Sequence, residues 1–240
     1  MNTWEEPIIA LDYENEEEAK KFLSLLEGSS PRCVKVGMEL YYASGPDFLR
    51  WLIARGYHVF LDLKLMDIPT TVKKTMRVLA SMGVGMVNVH APGGSTMMKA
   101  ALEGLEEGTK PGQARPICIA VTQLTSTTEH MMQTEQLIDR SLEEVVVEYA
   151  KLTQQAGLDG VVCSANEAEL LKQELGNDFL LVTPGIRFKD EEADDQKRVV
   201  DPGQAKAKGS DAIVVGRSIT QAEDPQHAYE NVVQLWRDAQ

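Results

Sequence analysis

The sequence VFLDLKLMDIP at residues 59–69 runs from an apolar segment into two carboxylates and one ammonium group. Side chains alternate between the two faces of a β-strand, so Asp62 and Lys64 are expected to be neighbours on one face. Asp67 follows the strand, and Pro69 suits the first turn of a helix, where its missing N–H needs no partner. The segment therefore predicts a strand, a charged turn and a helix. An isolated Asp-x-Lys is commonly a solvated surface ion pair, so its interpretation as a site depends on the rest of the chain.

The same strand-and-helix unit recurs along the chain. The predicted strands are short, β-rich apolar runs at residues 8–11, 34–37, 59–63, 86–89, 117–121, 160–163, 179–182 and 212–215. Between them lie charge-rich segments with apolar residues at helical spacing, which predict helices that include residues 16–26, 72–82, 143–155 and 226–236. Alternation of strands and helices favours parallel strands whose two faces are both covered.

Eight units in 240 residues average 30 residues each, the size of one strand, one helix and two short loops. We therefore predict an α/β fold, a (β/α)8 TIM barrel that forms a single domain over residues 1–240. The alternative is a doubly wound open sheet, but no G-x-G-x-x-G motif follows the first predicted strand. Residues 124–136 and 187–198 show no helical stripe and are predicted as longer loops, which are either binding elements or loose surface.

Composition disfavours several classes of function. The formal net charge of −13 argues against binding to nucleic acid or to an anionic membrane surface, since both require basic patches. No apolar stretch is long enough to span a bilayer, and the first residues lack the basic start of a secretory signal, so we expect a cytoplasmic protein. The histidines show no spacing typical of metal ligands, so no metal site is predicted. Cys33, Cys118 and Cys163 lie in apolar runs and are expected to be buried thiols.

Polar residues follow most of the predicted strands. In barrel enzymes the active site lies at the carboxyl ends of the strands, so residues at these points are candidates for chemistry. The loops after strands seven and eight often bind phosphate, and Gly216 and Arg217 suit an anion because glycine admits close backbone approach and arginine can donate two hydrogen bonds. An anionic substrate would need local positive charge in this acidic chain. The candidates to supply that charge are Lys35, Lys64, Arg187 and Arg217.

With these residues assembled, the chain resembles the orotidine 5′-phosphate decarboxylase family over nearly its whole length. The element D-x-K-x-x-D-I-P at residues 62–69, together with P-G-I-R at 184–187 and V-G-R at 215–217, is highly specific. Met66 departs from the histidine common in bacterial relatives, at a position that varies in the family. Further matches, in the family's order, are I-A-L-D at 9–12, V-K-V-G at 34–37, Leu124-Thr125 and Gln196.

The resemblance implies decarboxylation of orotidine 5′-phosphate to UMP in pyrimidine biosynthesis, without a metal or an organic cofactor. It implies a homodimer in which the partner subunit contributes Asp67 to a network of alternating charges with Lys35, Asp62 and Lys64. Residues 187–198 are then expected to form a lid. The positions that the resemblance assigns to the substrate are Asp12 and Lys35 for the ribose, Thr125 for the pyrimidine, Arg187, Gln196, Gly216 and Arg217 for the phosphate, and, without a narrower assignment, Asp62, Ile68 and Thr71.

Elementary chemistry agrees with this assignment. Loss of CO2 from C6 of the pyrimidine leaves negative charge on carbon, and the ammonium of Lys64 can stabilise that charge and then donate a proton. Two alternatives stay open. One is a related barrel that uses Mg²⁺ on a sugar phosphate, such as a hexulose-phosphate synthase or a ketogulonate-phosphate decarboxylase, and a metal requirement would identify it. The other is a non-catalytic barrel that binds UMP and turns nothing over.

Overall fold

A computed structural model describes residues 3–29, 31–188 and 200–239. Parallel strands close into a barrel in which each strand pairs with the next and the eighth pairs with the first. Their bounds are β1 Ile8–Leu11, β2 Cys33–Gly37, β3 His58–Leu65, β4 Met86–His90, β5 Ile117–Val121, β6 Gly160–Val162, β7 Leu180–Thr183 and β8 Ala212–Val215. The predicted (β/α)8 barrel is confirmed, and the open-sheet alternative is wrong.

Helices connect the strands and cover the barrel. Their bounds are α1 Glu16–Ser24, α2 Met38–Ala54, α3 Pro69–Ser81, α4 Gly94–Gly108, α5 Glu129–Thr134, α6 Leu142–Gln155, α7 Ala165–Leu175, α8 Pro202–Ala207, α9 Arg217–Thr220 and α10 Pro225–Asp238. The helices predicted from periodicity are α1, α3, α6 and α10, with ends shifted by up to three residues. Within the described ranges, none of the helices has the length and apolar character needed to cross a bilayer.

One segment predicted as a loop contains a helix. Residues 124–136 lack a helical stripe, yet α5 occupies Glu129–Thr134 within them. Thr128 caps this helix, because its side-chain oxygen accepts a hydrogen bond from the N–H of Met131. A helix of six residues is shorter than two turns, so periodicity cannot reveal it. The threonine cap is the local signal that identifies its start.

The apolar core has two layers because the barrel strands are buried on both faces. The outer layer lies between the strands and the helices and includes Leu61, Met76 and Met98. The inner layer fills the barrel and includes Phe60 and Met86. Since the interior is packed with side chains, a ligand can enter only at an end of the barrel.

Trp4 covers the amino-terminal end of the barrel. Its side chain is buried, belongs to the inner layer and lies edge-on against His58 at the start of β3, with ring centroids 6.3 Å apart. A Cβ atom at Gly85, just before β4, would lie only 2.8 Å from the indole ring. Glycine at this position therefore makes room for the tryptophan, and a ligand is left with the opposite end.

Charged side chains link neighbouring strands at the same amino-terminal end. The carboxylate of Asp159, just before β6, accepts hydrogen bonds from the backbone N–H of Cys118 at 2.7 Å and from the guanidinium of Arg115 at 2.7 and 3.0 Å. Asp211, just before β8, pairs with Lys172 at 2.7 Å and accepts a backbone N–H from β7. Each carboxylate satisfies a strand N–H and is itself neutralised, an arrangement that serves stability at this face.

Helices α3 and α4 pack with their backbones in close contact. A Cβ atom at Gly104 would lie 2.1 Å from the carbonyl oxygen of Lys73, and one at Gly108 would lie 2.1 Å from that of Arg77. The ammonium of Lys73 also reaches the carboxylate of Glu103 at 2.9 Å. These contacts fix α3, and with it the charged turn at the amino end of α3, against the rest of the barrel.

The three cysteines are free and buried, as predicted. Burial raises the pKa of the Cys33 and Cys118 thiols to about 12, and it also raises the pKa of Cys163. Such thiols stay protonated at neutral pH and act as small apolar side chains.

Candidate active site

The carboxyl ends of the strands surround a cavity of about 480 Å³. This volume lies in the range of sites that hold a small organic ligand. The predicted site residues that line it are Asp12, Lys35, Asp62, Lys64, Thr125, Arg187, Gly216 and Arg217. Residues far apart in the sequence thus meet at one mouth of the barrel, where the chain was expected to place them. Their individual roles stay predictions.

Four charged side chains form an alternating row across the cavity. The ammonium of Lys35 lies 2.9 Å from Asp12 Oδ1 and 3.5 Å from Asp62 Oδ2. The ammonium of Lys64 lies 2.6 Å from the other carboxylate oxygen of Asp62. The order is therefore Asp12, Lys35, Asp62, Lys64, with each inner charge beside charges of opposite sign.

Asp62 is the central carboxylate of this row, and its residue is only 8% exposed. Burial is the largest single influence on its pKa and acts to raise it. The positive charges of Lys35 and Lys64, with hydrogen bonds from Lys64 and Asn88, act in the opposite direction and together outweigh burial. The pKa of Asp62 is consequently lowered, so at neutral pH the row contains a buried carboxylate anion.

Lys64 departs from the regular strand that its sequence predicts. Its φ is 52°, in the left-handed region that residues other than glycine rarely adopt. The pairing of β3 with β4 also shifts there, since Leu61 lies opposite Val87 while Leu65 lies opposite Val89. The four-residue step from Leu61 to Leu65 on β3 therefore advances the pairing by only two residues on β4. The ammonium of Lys64 reaches its carboxylate as predicted, but through a local bulge instead of simple strand alternation.

Three amide side chains that line the cavity are missing from the predicted set, Asn88, Gln123 and Gln221. Asn88 Nδ2 donates to Asp62 Oδ1 at 2.7 Å. Gln123 Nε2 donates to Gln136 Oε1 at 3.0 Å and so ties the end of β5 to the segment after α5. Asn88 was accessible to sequence reasoning, because it is a polar residue inside the apolar run of β4. Gln123 was accessible as well, because it lies two residues after β5, where polar residues are candidates for chemistry. Gln221 follows α9 and carries no comparable signal.

The loops after β7 and β8 contribute the basic groups at another part of the cavity wall. Arg187 follows β7 and is buried, and Arg217 is the first residue of α9. Gly216 lies between β8 and α9, and a Cβ atom there would make ordinary contacts, 3.7 Å to Ala10 Cβ and 3.9 Å to Asp12 Oδ2. The space around Gly216 therefore does not by itself require glycine. Two guanidinium-bearing residues from adjacent loops border the same cavity, as expected for an anion site.

Three predicted site residues lie outside this cavity within the single chain. Asp67 and Ile68 are exposed on the turn between β3 and α3, Thr71 is exposed in the first turn of α3, and none of them lines the cavity. Asp67 Oδ1 instead accepts a hydrogen bond from the backbone N–H of Ile68 at 2.6 Å. Gln196 and most of the predicted lid at 187–198 lie outside the described residues.

His90 ends β4 and is half-buried beside the charged row. Its pKa is lowered, first by burial and then by the positive charge of Lys64, while Asp62 acts in the opposite direction. The imidazole is therefore mainly neutral at neutral pH. It does not line the cavity.

Metal ligation finds little support at the charged row. Among the side chains that the structure describes, no three or more His, Cys, Asp and Glu are grouped so as to hold a metal ion. The oxygens of Asp62 already face Lys35, Lys64 and Asn88. A reaction that needs no metal stays a prediction, which turnover in the presence of a chelator tests.

Comparison with known proteins shows extensive similarity to one family. Residues 5–232 match the profile of the orotidine 5′-phosphate decarboxylase / HUMPS family. Orotidine 5′-phosphate decarboxylases from Bacillus mycoides (strain KBAB4) and Bacillus cereus (strain B4264) are each 57% identical over 229 residues, which cover 95% of this chain and 96% of each relative.

Solved structures agree with this result. The crystal structure of orotidine 5′-phosphate decarboxylase from Lactobacillus acidophilus superposes with a TM-score of 0.88 at 44% identity, over 96% of this chain and 98% of that one. An uncharacterized conserved protein from Geobacillus kaustophilus superposes with a TM-score of 0.85 at 50% identity, over 95% and 99%. On sequence, fold and the residues gathered at the barrel mouth, the chain belongs to the orotidine 5′-phosphate decarboxylase / HUMPS family.

Proposed function

We propose that this protein decarboxylates orotidine 5′-phosphate to UMP in pyrimidine biosynthesis, with Lys64 as the group that stabilises and then protonates C6. The observation that carries the proposal is the Lys64 ammonium, 2.6 Å from the buried carboxylate of Asp62 and on the wall of the cavity. Relatives that match nearly the whole chain at 57% identity bear the name of this activity.

The proposed step breaks the bond between C6 and the carboxylate carbon. The electron pair of that bond stays on C6, and the carboxylate leaves as CO2. A fixed ammonium stabilises the developing negative charge because it is already oriented and needs no solvent to reorganise. Lys64 then transfers a proton to C6 to give UMP and is reprotonated from solvent. The flanking carboxylate of Asp62, 2.6 Å away, keeps the ammonium in place before the substrate arrives.

Substrate binding is assigned to the remaining cavity residues. The phosphate carries negative charge and the chain as a whole is acidic, so binding requires local positive groups. Arg187 and Arg217 supply them from adjacent loops. Gly216 has no side chain, so the phosphate can approach its backbone closely. Asp12 and Lys35, paired at 2.9 Å, are proposed to bind the ribose hydroxyls, because together they offer an acceptor and a donor.

A homodimer is proposed to complete each site. The turn that carries Asp67 is exposed, and the exposed apolar side chains of Met66 and Ile68 lie on it. Helix α2 of the same chain, which follows the neighbouring strand β2, also has exposed apolar side chains at Met38 and Tyr42. Such clustered exposure is typical of an interaction surface. We propose that Asp67, Ile68 and Thr71 of one subunit reach the cavity of the other, with Asp67 on the far side of Lys64.

Mixing two inactive variants tests the shared site. Lys64→Ala and Asp67→Ala should each abolish most activity alone. In a random mixture of subunits, half of the dimers are mixed and each of these keeps one intact site, so activity should return to roughly one quarter of the wild-type value. No recovery on mixing would show that Asp67 acts within its own subunit, and activity close to wild type in Asp67→Ala alone would show that it does not act at all.

The activity itself is tested by ultraviolet absorbance. Purified protein with orotidine 5′-phosphate and excess EDTA should convert it to UMP, and Lys64→Ala should not. Lys151→Ala is a matched control, since Lys151 pairs with Glu174 at 2.7 Å on the surface away from the cavity. Turnover of a sugar phosphate only with Mg²⁺, or UMP binding without turnover, would establish one of the two alternatives instead. The cytoplasmic location expected from the sequence stays a prediction.

A further inference from the structure

Asn88 contacts both members of the central carboxylate and ammonium pair. It lies within β4, is 1% exposed and borders the cavity. Its Nδ2 donates to Asp62 Oδ1 at 2.7 Å, and its Oδ1 accepts the backbone N–H of Lys64 at 2.8 Å. One buried amide therefore bridges the side chain of one residue and the backbone of the other.

The bulge in β3 explains why such a bridge is needed. Where the pairing of β3 with β4 shifts, the backbone N–H of Lys64 has left the regular ladder of strand hydrogen bonds. A buried N–H without a partner is costly, and a left-handed residue other than glycine persists only where its surroundings hold it. The side-chain oxygen of Asn88 provides an acceptor in place of a strand carbonyl.

We propose that Asn88 is a positioning residue for the decarboxylation, which holds Lys64 in its left-handed conformation and Asp62 in the orientation that faces both lysines. The inference rests on the proposed function of the same site. Lys64 carries its ammonium on a long, flexible side chain, so the direction of the backbone at this residue decides where the ammonium can reach. Errors of about 1 Å in such a position can cost on the order of 100-fold in rate.

The amide of Asn88 satisfies both contacts at neutral pH. It offers a donor on one atom and an acceptor on the other, whereas an ionised carboxylate accepts only and an apolar side chain does neither. Asn88→Asp keeps the shape and the acceptor for the Lys64 N–H, but loses the donor to Asp62 and adds a like charge beside it. Asn88→Leu has similar size and loses both contacts without adding charge.

The test compares these two variants with a matched control. Thr122 is also 1% exposed, follows the neighbouring strand β5 and donates through Oγ1 to the carbonyl of Val162 at 3.2 Å. Its side chain does not line the cavity. Asn88→Asp and Asn88→Leu should each lower kcat for orotidine 5′-phosphate by about 100-fold. The KM and the Kd for UMP should change by less than about threefold, because the phosphate contacts remain. Thr122→Val should keep kcat within about threefold of wild type.

A pH profile separates positioning from a merely structural role. When protonated, the carboxyl group introduced in Asn88→Asp can again donate to Asp62 while its other oxygen accepts the Lys64 N–H. The activity of Asn88→Asp relative to wild type should therefore rise as the pH falls from 8 to 5. Asn88→Leu should show no such recovery. A purely structural role would reduce the folded fraction and leave kcat per folded molecule and its pH profile unchanged.

The outcomes are distinguishable. If the wild-type protein does not convert orotidine 5′-phosphate, the proposed function fails and this inference fails with it. If the wild type is active and the folded variants, recognised by UMP binding, keep its kcat, this inference alone is overturned. Should Asn88→Asp fail to fold, the loss of kcat with retained UMP binding in Asn88→Leu decides the question. A loss of kcat as large in Thr122→Val as in the Asn88 variants would also overturn it.

Discussion

The ammonium of Lys64 lies 2.6 Å from Asp62 Oδ1, although the backbone between the two residues has left the regular strand. Simple alternation would also place the two side chains on one face. The bulge fixes the direction of the Lys64 backbone and leaves its N–H free to donate to the Asn88 side chain. This one relationship therefore joins the local sequence pattern, the pairing of two strands and the charge that the proposed reaction needs.

Asp62→Asn should reduce kcat/KM on the order of 1,000-fold, because it removes the negative charge between Lys35 and Lys64 and leaves two ammonium groups facing a neutral amide. Steady-state kinetics with orotidine 5′-phosphate checks this. Asp139→Asn, at an exposed position, is the control and should behave as wild type. Activity close to wild type in Asp62→Asn would mean that the carboxylate does not organise the site.

Arg217→Ala should lower kcat/KM for orotidine 5′-phosphate by about 10- to 100-fold, the value of one or two charge-assisted hydrogen bonds to phosphate. The substrate without its phosphate, orotidine, should be processed equally poorly by wild type and variant. Arg140→Ala removes an exposed arginine elsewhere and should change neither rate. An equal loss on both substrates in Arg217→Ala would argue against a phosphate contact.

The pKa of His90 should rise in Lys64→Ala. In the native protein it is lowered below its ordinary value of 6.5, first by burial and then by the charge of Lys64, so removal of that charge relieves one of the two causes. NMR titration of the imidazole Cε1–H resonance measures the change. A pKa that stays constant or falls would show that the two groups do not interact.

The same lowered pKa has a consequence for stability. Between the folded pKa and the ordinary value near 6.5, the unfolded chain binds more protons at His90 than the folded chain does. The free energy of unfolding should therefore decrease as the pH falls through this interval. His90→Gln should flatten that slope in urea denaturation measured at several pH values, and an unchanged slope would contradict the assignment.

Gly104→Ala should destabilise the protein by about 1–3 kcal/mol, because its Cβ would overlap the carbonyl oxygen of Lys73 and force α3 away from α4. Gly203→Ala is the matched control, since its Cβ would meet atoms no closer than 3.4 Å within helix α8. That change should be neutral or stabilising by up to about 1 kcal/mol. Urea denaturation compares the two, and equal effects would show that the close contact between α3 and α4 is not needed.

Most of the architecture could be predicted from local patterns. Apolar runs mark buried parallel strands because both of their faces are covered, and the spacing between runs fits one helix each. The short helices α5, α8 and α9 are exceptions, since four to six residues are too few to show a period. The polar residues that end the strands were also accessible, because closing a barrel brings every strand end to one mouth.

The partners of those residues depend on tertiary structure. Alternation tells which face Asp62 occupies, but the contacts of Asn88 depend on how β3 and β4 are paired, and no local pattern encodes a shift in pairing. The left-handed backbone of Lys64 has the same origin, because surrounding contacts hold a conformation that lysine does not favour. Periodicity and spacing, which are local properties of the sequence, therefore determined the barrel fold and which charged residues lie at its mouth. Hydrogen bonds between strands, which form only in the folded chain, determined the orientation of those side chains.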